Sequence, residues 1–254
     1  MLLFASDLDN TLIYSHRHDI GADKVLAELY EGREVSFMTR HSRELLDMVN
    51  RRARFVPVST RSIAQYRRIR FHDCWSPALA LVSNGGTLLV DGEPDAEWYA
   101  ASLALTARAE PVLREAEHML EVDPARTLDV RRVDGLFVFT KSADMPATIA
   151  RLRRALDPDT VDVFENGSKV YVLPRALDKG TALERLHARF PQALTVAAGD
   201  SLFDLPLLAA ADVACYPDTL PYTARPGQRA IRFRTRNGVF SDQLLEEVLT
   251  RMDA

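Results

Sequence analysis

Four short clusters in this chain hold the residue types and spacings best suited to chemistry. The run DLDNT places Asp7 and Asp9 two apart, with Thr11 following. In an extended strand the two carboxylates would share a face, whereas a turn beginning at Asp7 would aim both at one site from different angles. The run GDSLFD, Gly199 to Asp204, supplies a second pair, Asp200 and Asp204. Two carboxylate pairs facing each other repel strongly unless a cation neutralises them, and an all-oxygen donor set suggests Mg²⁺. A calcium loop opening at Asp7 fails, because Leu12 stands where the loop needs glycine and His18 where it needs glutamate. Ser59 and Thr60 offer hydroxyls and the N–H groups of a helix start to an anion, and Lys179, just before Gly180 and Thr181, offers a positive charge. Each cluster alone has an ordinary reading: Asp9 and Thr11 as turn formers, Asp200, Ser201 or Asp204 as a helix cap, Ser59 as a cap, Lys179 as a solvated amine.

The elements that must position these residues follow from periodicity. Leu2 to Ser6 is an apolar run ending abruptly in polar residues, as expected of a parallel strand buried on both faces, so Asp7 stands at a strand's carboxyl end. Arg54 to Val58 and Leu79 to Val82 read as further buried strands, with helices at His41 to Arg52 and Ile63 to Ile69. After Asp178 the rhythm resumes: helix Thr181 to Arg189, strand Leu194 to Ala198, helix Leu205 to Ala210, strand Val213 to Cys215 and a last helix, Ser241 to Arg251. Alternation of this kind is an α/β fold, a Rossmann-like doubly wound parallel sheet. All four clusters then lie at carboxyl ends of strands or at helix starts, where open parallel sheets bind ligands.

The middle of the chain differs. A helical stretch, Ser102 to Leu120, precedes strands Thr127 to Arg132 and Leu136 to Thr140 about an Asp134–Gly135 turn; helix Pro146 to Leu156 precedes strands Val161 to Glu165 and Lys169 to Leu173 about Asn166–Gly167. This duplicated α-β-β unit predicts an inserted α+β cap at 87–173, within a discontinuous core at 1–86 and 174–254.

In this order the clusters resemble the four motifs of the haloacid dehalogenase-like (HAD) superfamily: Asp7/Asp9/Thr11, Ser59, Lys179, and Gly199/Asp200/Asp204. The insert, with SNGG at Ser83 to Gly86 and DKGTAL at Asp178 to Leu183, resembles the type IIB cap of Cof-like, sucrose-phosphate phosphatase-like and mannosyl-3-phosphoglycerate phosphatase-like members. The opening SDLDNTLIYS, with the long stretch after it, is similar to HAD phosphatases associated with tellurium-resistance gene clusters. The resemblance implies a Mg²⁺-dependent phosphatase acting on a small phosphorylated metabolite, a sugar phosphate or related monoester, through a phosphoaspartate. Asp7 would be the nucleophile and Asp9 the general acid and base. Ser59 or Thr60 would bind phosphoryl oxygens, with Lys179 holding Asp7 and the developing charge. Asp7, the Asp9 carbonyl and Asp200 would hold the metal, with Asp204 as a further ligand or an anchor of metal-bound water. Two departures stand out: STR replaces the usual TGR in the second motif, and Phe203 stands where type II members usually carry asparagine, so one supporting hydrogen bond must come from elsewhere or be absent.

Substrate choice is expected to lie with the cap, whose Arg131, Arg132, Lys141, Asn166 and Lys169 sit on strands or hairpins, and with Arg61 and Asn84 on core loops. The stretch Tyr14 to Arg52 is longer than in type II relatives; Glu34 to Thr39 is either an added hairpin over the site or a passive surface excursion. Alternatives to the phosphatase are a phosphomutase of the phosphomannomutase type and a catalytically silent sugar-phosphate-binding protein.

Composition matches a soluble globular protein. The 254 residues, 47% hydrophobic and 27% charged, suffice for a full core. The net charge of −4 and the lack of an aromatic-basic platform argue against nucleic acid. Among the arginines, Arg61, Arg67, Arg68 and Arg70 read as a solvated face. No apolar run approaches a membrane span, and MLLFASDLDN lacks a signal peptide's pattern, so a cytoplasmic protein is expected. Cys74 and Cys215 are too few for a disulfide framework or a zinc site.

Overall fold

The computed structural model describes residues 1–235 and 239–252. The chain divides into two units, Met1–Asp95 with Asp178–Ala254, and Ala96–Leu177.

The larger unit opens with β1 (Leu2–Ser6), every residue of which is buried. There follow β2 (Tyr14–Ser15), β3 (Lys24–Tyr30), β4 (Arg33–Thr39), α1 (Arg40–Arg52), β5 (Arg54–Pro57), the one-turn α2 (Ile63–Tyr66), β6 (Leu79–Val82), β7 (Thr87–Val90) and β8 (Glu93–Pro94). The smaller unit contains α3 (Ala96–Thr106), α4 (Glu110–Glu121), β9 (Arg131–Val133), β10 (Phe137–Lys141), α5 (Met145–Ala155), β11 (Val161–Asn166) and β12 (Lys169–Pro174). The chain then re-enters the larger unit with α6 (Lys179–His187), β13 (Leu194–Ala198), α7 (Leu205–Ala210), β14 (Val213–Pro217), β15 (Arg229–Phe233) and α8 (Ser241–Met252).

The main sheet has the order β15-β14-β13-β1-β5 and is parallel throughout. Its central position explains the uninterrupted apolar character of β1, which has sheet neighbours on both edges and core on both faces. The chain leaves β1 toward β5 on one side and later returns through β13 on the other, so the order reverses about β1. That makes the carboxyl ends of β1 and β13, where Asp7 and Asp200 follow, the topological switch point of the sheet. Phe4, Leu46, Phe55, Val82, Val196 and Leu245 belong to one buried apolar cluster around it.

Helix α1 is capped by Thr39, whose hydroxyl accepts from Ser42 N, and Thr39 Oγ1 also donates to Asp242 at the start of α8. Strands β2, β4 and β3 form a separate antiparallel sheet. Residues Glu34 to Thr39 are thus one strand of an added hairpin.

The smaller unit is an antiparallel sheet, β11-β12-β10-β9, with its own apolar cluster that includes Leu113, Leu120, Val138, Leu152, Val163 and Val172. Both anticipated hairpin turns are present, with Asp134 at φ +43°, Gly135 at +77° and Gly167 at +59°. The single helix expected over Ser102 to Leu120 is two helices, because Pro111 lacks an N–H and fits only a helix's first turn. The unit begins at Ala96 where the sequence placed the boundary at 86/87, and ends at Leu177 where the sequence placed it at 173/174. The physical reason for the first shift is β7, which pairs antiparallel with β6 from Leu79↔Val90 to Val82↔Thr87 and so stays with the larger unit. Among the described residues no helix is long and apolar enough to cross a membrane.

Candidate active site

Asp7 begins the turn that ends β1. Its N–H still donates across the sheet to Ala198 O (2.9 Å), after which Leu8 O accepts from the N–H groups of Leu12 and Ile13 (2.9 Å each). This single helical turn is anchored by the fully buried Leu8, Leu12 and Ile13, and its reversal places Asn10 at φ +66°, a region that asparagine tolerates. The two aspartates of the run therefore leave the strand in different directions.

Asp7 points into the buried side. Its Oδ1 accepts from Lys179 Nζ at 2.5 Å, and the same ammonium donates to Asp204 Oδ1 at 2.6 Å. All three side chains are almost wholly buried. Lys179 is the first residue of α6, which Asp178 caps by accepting from Gly180 N (2.7 Å) and Thr181 N (2.9 Å). Gly180 is required by packing: a Cβ there would lie 2.4 Å from Pro206 O on α7. Asp204 is equally constrained. Its Oδ2 accepts from Asp200 N, Ser201 N and Ser201 Oγ at 2.8–3.1 Å, and a Cβ on Gly199 would sit 2.3 Å from Asp204 Cβ. The backbone and hydroxyl of this turn thus supply donors, and the buried Phe203 contributes no polar group. Asp200 completes the cluster, its Oδ1 accepting from Thr11 Oγ1 at 3.1 Å.

One carboxylate oxygen from each of Asp7, Asp200 and Asp204 lies within 4.8 Å of the others, an arrangement able to hold a metal ion. Charge bookkeeping supports a cation. Among the described residues three carboxylates meet one ammonium, an excess of two negative charges when all are ionised. Burial, with Asp204 next, raises the Asp7 carboxyl well above its ordinary value, and burial and Asp204 push Asp200 up to about 7. Burial works against the Lys179 ammonium, but Asp204 and Asp7 more than offset it and hold its pKa above the usual lysine value. A hard divalent cation suits the all-oxygen donors and the missing charge.

Asp9 faces a different partner. Arg61 clamps it through two parallel bonds, Nε to Oδ2 at 2.8 Å and Nη2 to Oδ1 at 2.7 Å. Arg61 Nη1 donates in turn to Glu28 Oε2 at 2.9 Å, and Glu28 Oε1 lies 3.0 Å from Arg68 Nη2. Arg61 and Arg68, read from sequence as members of a solvated face, instead converge on one buried glutamate, their side chains only 12% and 26% exposed. Burial opposes the charge of Arg61, yet Asp9 and Glu28 hold its pKa above the ordinary arginine value.

Ser59 follows β5 and is buried, its Oγ accepting from Arg61 N at 3.2 Å. Thr60 beside it is half-buried. The SNGG turn braces this loop: Asn84 N donates to Ser59 O (2.9 Å) and Ser83 N to Arg61 O (2.8 Å). Ser83 and Asn84 adopt φ +53° and +58°, two successive non-glycine residues in the left-handed region, a strained turn of the kind that clusters at functional sites. The larger unit thus brings Asp7, Lys179, Asp200 and Asp204 into one cluster, with Asp9 and Arg61 joined beside it and the Ser59 turn tied to Arg61.

The remaining candidates belong to the smaller unit. Arg131 and Asn166 are exposed on β9 and β11, and Lys141 and Lys169 are half-buried on paired positions of β10 and β12. Arg132 is engaged with Glu117 and Glu110. Sequence reasoning missed Glu28. Its one visible sign is an acidic residue inside the apolar-rich run KVLAELY.

A family model described as sucrose-6F-phosphate phosphohydrolase matches residues 1–215. Among solved structures, the sucrose-phosphatase of Synechocystis sp. PCC6803, determined with sucrose and phosphate, aligns at 16% identity and a TM-score of 0.63, over 99% of this chain and 98% of that one. A trehalose-6-phosphate phosphatase related protein aligns at 14% identity and 0.57, over 100% of both chains. A haloacid dehalogenase-like hydrolase from B. subtilis aligns at 14% identity and 0.57, over 98% and 99%. At these identities the likeness is one of fold. No curated protein sequence matches significantly.

Proposed function

This chain belongs to the sucrose-6F-phosphate phosphohydrolase family, among the type IIB HAD-like hydrolases, and from that premise we propose that it releases inorganic phosphate from a small phosphorylated sugar or related metabolite. It is a phosphoric monoester hydrolase. The observation that carries the mechanistic reading is the buried cluster in which Lys179 bridges Asp7 and Asp204 beside Asp200.

Asp7 is the nucleophile. One of its carboxylate oxygens attacks phosphorus in line with the leaving oxygen, forming an aspartyl-phosphate as the bond to the alkoxide breaks. Asp9 gives the departing oxygen its proton, then takes one from the water that attacks the same phosphorus, so that Asp7 is freed, phosphate leaves and Asp9 is again protonated. Lys179 fixes Asp7 before the substrate arrives and counters negative charge that develops as phosphorus is attacked. Ser59 and Thr60 follow the strand next to β1 and offer hydroxyl and N–H donors to phosphoryl oxygens. Asp204, with both oxygens occupied by Lys179 and its own turn, braces the cluster.

Asp7, Asp200 and the Asp9 carbonyl would hold Mg²⁺. When bound, it supplies the positive charge the cluster lacks and draws electron density from the phosphoryl oxygens. We assign the chemistry to the larger unit and leaving-group choice to the smaller one, with Arg131, Lys141, Asn166 and Lys169 as its candidates.

The test is phosphate release across a panel of sugar, polyol and nucleoside monophosphates, with and without Mg²⁺, comparing wild type with Asp7→Asn. Wild type should turn over at least one sugar phosphate only with Mg²⁺, and Asp7→Asn should lose about 10³-fold or more in kcat. Equal release by both proteins sinks the reading. Mass spectrometry of the same reactions reports any sugar phosphate isomer, the product expected of a mutase.

A further inference from the structure

We propose that Glu28, delivered by the hairpin between the first and second sequence clusters, is a positioning residue for the acid–base step: it anchors Arg61, and through Arg61 it sets the direction of the Asp9 carboxylate. The proposal rests on Asp9 being the acid and base.

The backbone first explains how Glu28 arrives there. Strand β3 pairs with β4 in regular register until Leu26, then shifts on both sides of Glu28, so that Glu28 opposes Ser36. Such bulges re-aim side chains. The result is visible in burial, because Ala27 and Glu28 are both 1% exposed although adjacent strand residues ordinarily face opposite ways. The same stretch is tied to the segment after α2, with Arg70 N donating to Ala27 O at 2.7 Å and a bridge between Glu28 and Ile69. Glu28 therefore enters between the two ends of the segment that carries Arg61 and Arg68.

Side-chain chemistry then gives the bulge a purpose. A carboxylate this buried is costly unless paired, and Glu28 takes Arg61 Nη1 (2.9 Å) and Ser36 Oγ (3.1 Å) on Oε2, with Arg68 Nη2 3.0 Å from Oε1. Arg61 is left with Nε and Nη2 directed at Asp9. The guanidinium is planar and rigid, so fixing Nη1 at Glu28 fixes the plane and direction of the fork that Asp9 meets. The four groups also balance: two carboxylates and two guanidiniums, in contrast to the cation-deficient cluster around Asp7. Arg61 is thus shared between two carboxylates, and its fork orients Asp9. A hairpin that only covered the surface would need neither the bulge nor a buried acid aimed at Arg61.

The experiment uses the full-length protein with Mg²⁺ and para-nitrophenyl phosphate, whose leaving group departs without protonation. Forming the phosphoenzyme from this ester does not need Asp9, whereas hydrolysing it does. Rapid quench should show Glu28→Gln forming phosphoenzyme within about twofold of wild type and hydrolysing it about tenfold or more slowly, so that phosphoenzyme accumulates and kcat falls while the concentration for half-saturation does not rise. Arg67→Gln, which breaks an exposed contact with Gly92 and Glu93 outside this network, serves as the control and should keep the wild-type rate of hydrolysis. Glu28→Asp, retaining the charge on a shorter arm, should recover part of it. Unchanged rates in Glu28→Gln, or equal slowing of both steps, would overturn the proposal. If Glu28→Gln does not fold, Glu28→Asp decides the matter by the same selective slowing or its absence. Retained activity in Asp7→Asn would instead indict the phosphatase mechanism itself, which keeps the two failures distinct.

Discussion

At the scale of residues, the site separates charge into two compartments. Asp9, Arg61, Glu28 and Arg68 are mutually compensated, whereas among the described residues Asp7, Asp200 and Asp204 share the single ammonium of Lys179. The second compartment makes stability depend on pH and metal in a direction that can be worked out. Asp200 titrates at about 7 in the folded chain against 3.8 for an ordinary aspartate, and Asp7 is shifted the same way. Between those values the folded protein holds protons that the unfolded chain has released, so their contribution is full at acid pH and is lost as pH rises through about 7. Metal-free protein should therefore melt at a lower temperature near pH 8 than near pH 5.5, by an amount on the order of a few kcal/mol in stability. Mg²⁺ should restore stability mainly at the higher pH, because it binds the ionised carboxylates. Asp200→Asn should flatten the pH dependence and weaken the Mg²⁺ effect. Thermal melts in EDTA and in MgCl₂ at the two pH values check this; an unaltered pH dependence in Asp200→Asn would show that the carboxylate is not the titrating group.

At the scale of elements, precision comes from close backbone contact. Lys179 reaches Asp7 and Asp204 because α6 starts hard against α7, an approach only glycine at 180 permits. Gly180→Ala would push a methyl group into Pro206 O, which as main chain cannot rotate aside; overpacking of this kind typically costs about 1–3 kcal/mol. The expected result is a lower melting temperature together with a kcat loss larger than that of an exposed α6 change such as Glu184→Ala. Wild-type melting and turnover in Gly180→Ala would contradict the packing argument. The same scale shows what the sequence disclosed. Asp7, Lys179 and Asp200 were readable because each lies within two residues of the end of an apolar strand or at a helix start, a local pattern. Glu28 was not, since its partner Arg61 is 33 residues away and a bulge overturns the alternation from which a strand residue's face is inferred. Strands β7 and β8 fall inside the cap expected from sequence at 87–173, although Asp91 and Gly92, at φ +49° and +85°, form the Asp-Gly hairpin turn between them.

At the scale of the whole molecule, the decisive fact is that the two units have separate apolar clusters, one around the parallel sheet and one under the antiparallel sheet. A segment of about 80 residues with its own core lies above the size at which domains need disulfides or metals to fold. Residues 96–177 expressed alone should therefore unfold cooperatively in urea, monitored by circular dichroism. The complementary protein, with that segment replaced by a short Gly/Ser linker, retains every residue of the Asp7 cluster and of the Glu28 network. It should stay folded and keep Mg²⁺-dependent hydrolysis of para-nitrophenyl phosphate, because those residues all belong to the larger unit. Discrimination among sugar phosphates should fall, because Arg131, Lys141, Asn166 and Lys169 go with the deleted segment. Unchanged preference across the sugar-phosphate panel would place specificity in the larger unit, leaving Arg61, Asn84 and the β3–β4 hairpin as the residues to examine. Loss of aryl-phosphate hydrolysis in a folded linker protein would show that the parallel-sheet unit does not carry the chemistry by itself.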